Sequence, residues 1–267
     1  DLAATWRALR AGRCAVRLLD EPWAEEYRLA VRVAAPLARD AGGPLTPKER
    51  RRLDRASQCA LLAAREAWAH AGSPEVDGQR LSVSVSPGMG LVRSVIDTWE
   101  TLRGRGPRRV LPTAVPALMP NAPAAAVGIE LGARGGIHAP VSACASGAEA
   151  IAYGADLIAL GRADVVVAGG TDAALHPVTV AAFAAMRALS TRADVTASRP
   201  FAPDRDGFVL GEGAGVLVLE SAAHAAGRGA GVLAVLAGAG VTADAFDAAR
   251  PEPGGAQQER ALRLALE

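Results

Sequence analysis

The segment ADVVVAGG, from Ala163 to Gly170, constrains the fold more than any other part of this sequence. It is a continuous apolar run with three consecutive valines, and it ends in two glycines. A run of this kind is typical of a strand that is covered on both faces. Such a strand requires neighbouring strands and a layer of helices on each side of the sheet.

The segments around this run supply those neighbours. LSVSVS, from Leu81, alternates as a strand does, and IHAPVSA, from Ile137, predicts another strand. Helical patterns lie between the strands, from Leu91, from Met119 and from Ser146. Because strands alternate with helices, the sequence predicts an α/β fold with helices on the faces of the sheet.

Other segments predict further elements. One long amphipathic helix is expected from Thr46 to Gly72, with Thr46 as its cap and Glu49 at capping-box spacing. FVLGEGAGVLVLE predicts a pair of strands, and GVLAVLAGAG, from Gly231, predicts one more. The chain opens on DLAATWRALRAG and closes on QQERALRLALE, which are both helical patterns. Because domains more often end in polar loops, we expect a fragment cut at both ends.

Composition and charge argue against several classes of partner. Half of the 267 residues are hydrophobic, which suffices for a sizeable core. The formal net charge of +1 gives no reason to expect a nucleic-acid partner. No stretch is long and apolar enough to span a membrane, and no signal-peptide pattern opens the chain, so no membrane partner is expected. Three scattered cysteines form no disulfide framework, and a reducing, cytoplasmic setting fits them best.

Cys144 is the candidate nucleophile, although a free cysteine is more often core packing. It lies at a predicted strand-to-helix turn, where the positive end of the helix favours a thiolate. Ala145, Ser146 and Gly147 follow it, leave room for a substrate and leave backbone N–H groups that suit an oxyanion. Cys14 and Cys59 lie in helical patterns, and we interpret both as filler.

A nucleophilic cysteine usually needs a base, and the sequence offers no convincing one. His70 and His224 are expected near helix ends, where a positive charge is favourable. His138 lies on the same predicted strand as Cys144 and is expected to point along the sheet. His176 lies in a loop, and a catalytic role for it is the weaker hypothesis.

Several motifs, taken in order, resemble those of one family. PVSACASGAEAI, ADVVVAGGTDAA, MRALSTR, SRPF, DRDGFVLGEGAGVLVLE and ADAF together resemble the β-ketoacyl-acyl carrier protein synthases, over essentially the whole chain. The likeness is nearest to the elongating enzymes of type II fatty acid synthesis. Within those, LAVRVAAPL, AGSPEVD and GPRRVLP resemble the actinobacterial, mycolic-acid type. Polyketide synthase modules usually carry DTACSSS at the nucleophile, from which SACASG differs.

The resemblance implies a thiolase-like fold, in which two similar α/β halves stack as layers in the order α-β-α-β-α. Residues 1–229 correspond to the first half without its first strand, and residues 230–267 to the start of a truncated second half. It also implies a homodimer that uses neither a metal ion nor a cofactor.

The resemblance also implies the chemistry. Cys144 would take an acyl chain from acyl carrier protein as a thioester, and decarboxylation of malonyl-carrier protein would give the carbanion that attacks it. Two histidines and a lysine assist this step in the family, in second-half motifs like HGT and NxxFGFGG, which this sequence lacks. Their absence explains the missing base and predicts that these 267 residues alone are inactive.

Three further residues match substrate-binding positions of the family. Met89 in PGMG matches the residue that gates the acyl pocket, although the residues alone favour core filling for it. Asn121 in MPN lies in the segment that lines the dimer interface and the pocket. Phe208 in DRDGF matches an aromatic residue next to the active site.

A set of basic residues matches positions where the family meets its acidic carrier protein. They are Lys48, Arg51, Arg52, Arg108, Arg109 and Arg187. A basic patch steers an acidic partner and mainly raises its rate of association. A solvated helix face is the alternative, because Glu49 and Asp54 dilute the charge.

The sequence also departs from the family pattern. SPGMGL stands where GTGxGG is usual, so Leu91 replaces a glycine, which predicts a reshaped or shortened acyl pocket. Asp247 in ADAFD stands where the family has a histidine, and Ala145 stands where it has serine or threonine. These departures place substrate length and full activity in question.

Three hypotheses therefore remain at the level of sequence. The first is a condensing synthase that uses Cys144. A thiolase or a starter synthase is a related enzyme, but the DRDGFVLGEGAG block fits these less well. The second is a non-catalytic partner subunit, in which the cysteine is commonly replaced by glutamine. The third is an inactive, truncated synthase that exposes apolar surface.

Overall fold

The computed structural model describes every residue from Asp1 to Glu267. Six strands form: β1 (Arg17–Leu18), β2 (Val33–Ala34), β3 (Leu81–Pro87), β4 (Gly136–His138), β5 (Val165–Asp172) and β6 (Gly213–Glu220). Eleven α-helices form: α1 (Leu2–Arg10), α2 (Pro22–Glu26), α3 (Pro47–Arg52), α4 (Arg55–His70), α5 (Val92–Arg105), α6 (Ala114–Leu118), α7 (Ala122–Leu131), α8 (Ser146–Ala159), α9 (Pro177–Ala185), α10 (Ala222–Gly227) and α11 (Ala256–Leu266).

The main sheet has four strands in the order β4-β3-β5-β6. Strand β3 pairs in parallel with both β4 and β5, and β6 pairs antiparallel to β5. Helices α4 and α7 cover one face, and α8 covers the other. The prediction of an α/β fold with helices on both faces is confirmed.

The alternation of side chains along the central strand explains these layers. Val165 and Val167 of β5 belong to the core cluster that also contains Ala60 and Ala64 of α4. Val166 and Ala168 point to the opposite face, where they pack with Leu157 of α8. Because successive side chains of a strand point to opposite faces, an apolar run buries both of its sides only when helices cover both.

The sheet direction also decides where a functional site can form. The carboxyl ends of the parallel strands β3, β4 and β5 meet at one edge, and each leads into a loop: after Pro87, after His138 and after Asp172. Ligands of α/β proteins commonly bind outside this edge. The loop after His138 carries Cys144.

The strand expected over IHAPVSA, from Ile137 to Ala143, is wrong beyond His138, because only Gly136–His138 pairs with β3. His138 and Cys144 therefore do not share a strand.

Three further sequence predictions of secondary structure are wrong or incomplete. The helix expected from Thr46 to Gly72 is two helices, because Leu53 is extended and Asp54 begins α4 by accepting a hydrogen bond from the Ala56 N–H. The expected strand pair in FVLGEGAGVLVLE is the single strand β6, preceded by an isolated bridge between Gly211 and Ala35. Residues 230–245 form neither helix nor strand, so the strand expected from Gly231 is not present.

Two smaller observations complete the comparison. Cys14 lies in the loop after α1, not in a helix, and is exposed, whereas Cys59 is buried in α4. No helix has both the length and the apolar character needed to cross a bilayer. The division at residue 229 remains a prediction, and the four-stranded sheet lies wholly on its N-terminal side.

Candidate active site

Cys144 lies in a short turn that joins the sheet to α8. Residues Ala143–Ala145 form one turn of 3-10 helix, and α8 begins at Ser146. Ala143 has a φ of 53°, in the left-handed region that an alanine seldom adopts. The chain therefore changes direction sharply just before Cys144, and the cysteine is exposed.

The side chain of Ser146 holds this turn together. Its hydroxyl donates to the carbonyl of Ala143 at 2.6 Å and accepts from the N–H of Ser142 at 2.9 Å. The residue is 1% exposed. A buried hydroxyl with both hydrogen-bonding functions used fixes the local backbone, so Ser146 positions Cys144 at the start of the helix.

Cys144 opens onto a cleft of about 240 Å³ at the carboxyl edge of the sheet. The cleft is lined mainly by small residues: Ser86, Gly88, Ala143, Ser146, Gly147, Gly170, Thr171, Asp172, Gly213, Ala214 and Gly215. A Cβ on Gly170 would lie 2.8 Å from the Cα of Gly147, so the start of α8 rests on the backbone of β5. The small residues therefore place a helix N-terminus and its cysteine close to the sheet.

Asp172 ends β5 on the far side of this cleft. Its carboxylate accepts hydrogen bonds from the N–H of Gly88 at 2.9 Å and from the N–H of Met89 at 3.3 Å. Burial raises the pKa of Asp172, and the two backbone hydrogen bonds oppose that rise. Asp172 therefore connects β5 to the loop that carries Met89.

A second polar network joins α4 to the residues around the cleft. The hydroxyl of Thr171 donates to the carbonyl of Ala56 at 2.8 Å. Arg55 of α4 makes a bidentate ion pair with Glu212, at 2.8 and 2.9 Å, and the Glu212 side chain is only 2% exposed. These contacts fix α4 against the residues that precede β6, and Gly213 to Gly215 of β6 line the cleft.

None of the four histidines lines the cleft of Cys144. His70 ends α4, and His224 lies in α10, where it contacts Glu220 and the carbonyl of Glu75. His138 stacks edge-on against Tyr153, with ring centroids 4.9 Å apart, and burial lowers its pKa. His176 caps α9 by accepting a hydrogen bond from Val178, and burial lowers its pKa too. The sequence offers no convincing base, and the identity of the base stays a prediction.

The three predicted substrate-binding residues lie outside the Cys144 cleft. Met89 is 36% exposed on the β3–α5 loop, and Asn121 is the exposed residue before α7. Phe208 stacks edge-on against Phe183, with ring centroids 5.2 Å apart. Their roles remain predictions.

The six predicted carrier-binding residues are all exposed, and none has a carboxylate within 4.0 Å. Arg51, Arg52 and Arg109 line one cleft of about 350 Å³, formed by α3, α5 and the segment before α6. We call this the arginine cleft. Lys48, Arg108 and Arg187 do not line it.

The departures from the family pattern have structural consequences. Leu91 is 4% exposed and packs with Ala56 and Ala173, and it does not line the Cys144 cleft. It therefore acts as core filling between α4 and the end of β5. The carboxylate of Asp247 accepts hydrogen bonds from the backbone of Ala249 and Arg250, and these lower its pKa.

Sequence reasoning missed the supporting residues of the cleft. Asp172, Thr171, Ser146 and the Arg55–Glu212 pair act through contacts between segments or within a tight turn. The only sequence signal was their position, at the carboxyl end of a buried strand or beside the candidate nucleophile. Phe183 was also missed, because an aromatic residue in an apolar helix does not reveal its stacking partner.

Comparison with known proteins identifies a family for this chain. Residues 1–225 match the family model described as the N-terminal domain of β-ketoacyl synthase. The 3-oxoacyl-[acyl-carrier-protein] synthase 2 of Mycobacterium tuberculosis (strain ATCC 25618 / H37Rv) is 42% identical over 270 residues, and that of Rhizobium meliloti (strain 1021) is 39% identical over 274 residues. They cover 100% and 98% of this chain, respectively, and the chain spans about 65% of the length of each.

Solved structures agree with these sequence relatives. A β-ketoacyl synthase from Burkholderia phymatum STM815 superposes with a TM-score of 0.87 at 34% identity, over all of this chain and 66% of that one. A type II polyketide ketosynthase, solved in complex with its acyl carrier protein, superposes with a TM-score of 0.85 at 27% identity, over 99% of this chain and 65% of that one. Because the family model matches residues 1–225 and solved relatives superpose over nearly the whole chain, the chain belongs to the β-ketoacyl synthase family.

Proposed function

We propose that this chain is the nucleophile-bearing part of a 3-oxoacyl-acyl carrier protein synthase that elongates fatty acyl chains. One observation carries the proposal: Cys144 is exposed at the N-terminus of α8, in a cleft lined by small residues. The identity to 3-oxoacyl-acyl carrier protein synthases supports the same activity. Likeness to mycobacterial relatives suits precursors of mycolic acids as products.

In the first step, the Cys144 thiolate attacks the carbonyl carbon of an acyl thioester on acyl carrier protein. The tetrahedral intermediate collapses, the carrier thiolate leaves and takes up a proton, and the acyl group stays on Cys144 as a thioester. The position of Cys144 before α8 suits this step, because the free N–H groups at a helix N-terminus suit the oxyanion of the tetrahedral intermediate.

In the second step, malonyl-acyl carrier protein loses its carboxylate as carbon dioxide. The electron pair of the broken C–C bond gives an enolate, whose carbon attacks the thioester carbonyl, and the Cys144 thiolate leaves. Family resemblance assigns assistance in this step to two histidines and a lysine, in motifs that this sequence lacks. The absence of histidine from the Cys144 cleft fits that assignment.

Acyl carrier protein is the proposed partner, and the arginine cleft is its proposed docking site. The relative solved with its acyl carrier protein supports the choice of partner. Four arginines without an ion-pair partner, Arg50 and the three predicted ones, line this concave surface. They suit an acidic protein, since opposite charges accelerate and orient docking. We also propose a homodimer, by family resemblance, and a cytoplasmic setting, supported by three free cysteines.

A non-catalytic partner subunit is the alternative function. One neighbour, described as the ishigamide ketosynthase/chain length factor, superposes with a TM-score of 0.81 at 29% identity. The retained cysteine disfavours this alternative, because a subunit that only shapes a pocket needs no nucleophile. An inactive truncated synthase is the third possibility, and it would also keep Cys144.

The test is covalent loading, followed by mass spectrometry of the intact protein. Incubation with acyl carrier protein that bears a long-chain acyl group should add one acyl group to the unchanged protein and none to Cys144→Ala. The matched control is Cys14→Ala, which removes the other exposed cysteine and should load normally. Loading of Cys144→Ala at the normal rate would refute the assignment of the nucleophile.

A further inference from the structure

Asp172 is a partly buried carboxylate without a cationic partner. No Lys, Arg or His nitrogen lies within 4.0 Å of it, and backbone N–H groups of Gly88 and Met89 are its hydrogen-bond donors. Burying a charge is unfavourable unless hydrogen bonds compensate it. Because no ion pair accounts for the position of the Asp172 carboxylate, its role must lie in the backbone groups that it binds.

The contacts of Gly88 indicate this role. A Cβ on Gly88 would lie 2.6 Å from the Oδ2 of Asp172 and 3.1 Å from the carbonyl oxygen of Ala143. The backbone of Gly88 is therefore held between the carboxylate and the residue that precedes Cys144. The loop bearing Met89, the end of β5 and the nucleophile turn meet at this point.

Gly88 and Asp172 both line the cleft of Cys144, and Met89 follows Gly88 in the loop. We propose that Asp172 is a positioning residue, which fixes the Gly88–Met89 loop against the Cys144 turn and thereby sets how long a chain the thiol admits. The role of Met89 as a gate rests on the proposed function, whereas the contact itself does not.

The proposal predicts a specific effect of Asp172→Asn. The N–H groups of Gly88 and Met89 donate to different oxygens of Asp172. The amide keeps the shape of the side chain but replaces one of these oxygens with an NH2 group, which is a donor, so one of the two hydrogen bonds is lost. The loop should then move more freely, and long reagents should gain access to Cys144 relative to short ones. Since hydrogen bonds to a charged group are among the stronger ones, we expect the ratio to rise at least about threefold.

The experiment measures alkylation of Cys144 in the intact protein with Cys14→Ala as background. Two probes are compared, iodoacetamide and its N-decyl derivative, and the ratio of their rates is the readout. Uniform loosening would raise both rates together, whereas a positioning role changes the ratio. Asp77→Asn is the matched control, because Asp77 also accepts a backbone N–H, from Gln79, but in the turn before β3, at the opposite end of that strand from the Gly88 loop.

A second variant protects the test against failure to fold. Gly88→Ala places a methyl group against Asp172 and Ala143, so it disturbs the same contact from the other side. A changed ratio in Asp172→Asn supports the proposal, provided that the ratio of Asp77→Asn equals that of the parent. Where Asp172→Asn is unfolded, a changed ratio in Gly88→Ala supports it instead. Ratios equal to the parent in the folded variants overturn it.

Alkylation requires only an accessible thiol and no condensation. Normal acyl loading with an unchanged ratio would therefore refute the role of Asp172 alone. A changed ratio without acyl loading would refute the proposed function and leave the positioning role intact.

Discussion

The small residues around Cys144 control how closely α8 approaches the sheet. Gly147 and Gly170 are in backbone contact, and a Cβ on Gly154 would lie 3.1 Å from Val166 and 3.2 Å from Ala168. Larger side chains at these positions would lift the helix from the strand. The abundance of alanine and glycine after Cys144 is therefore a requirement of packing, and it places Cys144 at the cleft.

Gly170→Ala tests this contact at a single residue. The added methyl would lie 2.8 Å from the Cα of Gly147, a backbone atom that moves only if the helix moves. Overpacking of this kind typically costs about 1–3 kcal/mol, so the free energy of unfolding in urea should fall by that amount. Alkylation of Cys144 by iodoacetamide should change as well, since the helix start is displaced.

The control for this variant is Gly104→Ala in α5. Apart from its chain neighbours and the backbone of its own helix, no atom lies within 4 Å of the position that a Cβ would take there, and the residue is helical. Alanine should therefore raise stability by roughly 0.5–1 kcal/mol. Equal stability of Gly170→Ala and the parent would show that the start of α8 does not rest on the backbone of β5.

At the level of elements, the sequence predicts what local patterns encode. Strands β3 and β5 and helix α8 were predicted to within one or two residues, because their apolar periodicity and flanking glycines are local signals. The break between α3 and α4 was missed because the amphipathic pattern continues across it. Asp54 was the available signal, since it caps α4 and also accepts a hydrogen bond from Ser94.

Glu49 gives the first of these two helices a dependence on pH. Its carboxylate accepts from the side chain and the N–H of Thr46, both at 2.7 Å, and from Arg65 at 2.5 Å. These contacts, the Thr46 hydroxyl first, lower the pKa of Glu49 to about 2 from the ordinary value of 4.5. A lowered folded-state pKa means that Glu49 stabilises the fold above the ordinary value and loses this effect as the pH falls toward about 2.

Glu49→Gln should therefore be less stable than the parent near neutral pH, and the difference should shrink as the pH approaches about 2. Urea midpoints of both proteins across this range measure the effect. Glu26→Gln, at an exposed glutamate of α2, serves as the control and should follow the parent throughout. A difference between Glu49→Gln and the parent that does not vary with pH would exclude the carboxylate as its source.

At the level of the whole molecule, the errors come from partners that local sequence cannot specify. Residues 230–245 were predicted to open with a strand, yet Val232, Leu233 and Val235 are 65%, 84% and 80% exposed and pair with no strand. A strand forms only when another strand supplies its ladder. Neither the four-stranded nor the two-stranded sheet pairs with this segment, so it stays without strand structure.

The site divides in the same way. Cys144, its turn and its helix were predictable because they are adjacent in the sequence. Asp172 and Gly88 are 84 residues apart, and Arg55 and Glu212 are 157 apart, so only the assembled sheet brings them together. The basic residues were predicted as one set, and the fold separates them: Arg51, Arg52 and Arg109 share the arginine cleft, and the other three do not.

This separation predicts how charge directs the proposed acidic carrier. The net charge is only +1, so any attraction must come from a local patch. Replacing Arg51, Arg52 and Arg109 with glutamate should weaken carrier binding about tenfold or more, mainly through slower association. The loss should diminish as salt is added, since the Debye length shortens from about 10 Å at 0.1 M to about 3 Å at 1 M.

The matched control replaces Arg7, Arg10 and Arg13 with glutamate. These three arginines are exposed on α1 and the loop after it, they have no carboxylate within 4.0 Å, and their replacement changes the net charge equally. Association rates measured by stopped flow at several salt concentrations compare the two triple variants. Equal slowing in both would mean that the carrier responds to total charge, and the arginine cleft would lose its role as the docking site. Slowing confined to the first variant means that the local shape formed by α3, α5 and the segment before α6 selects where the carrier binds.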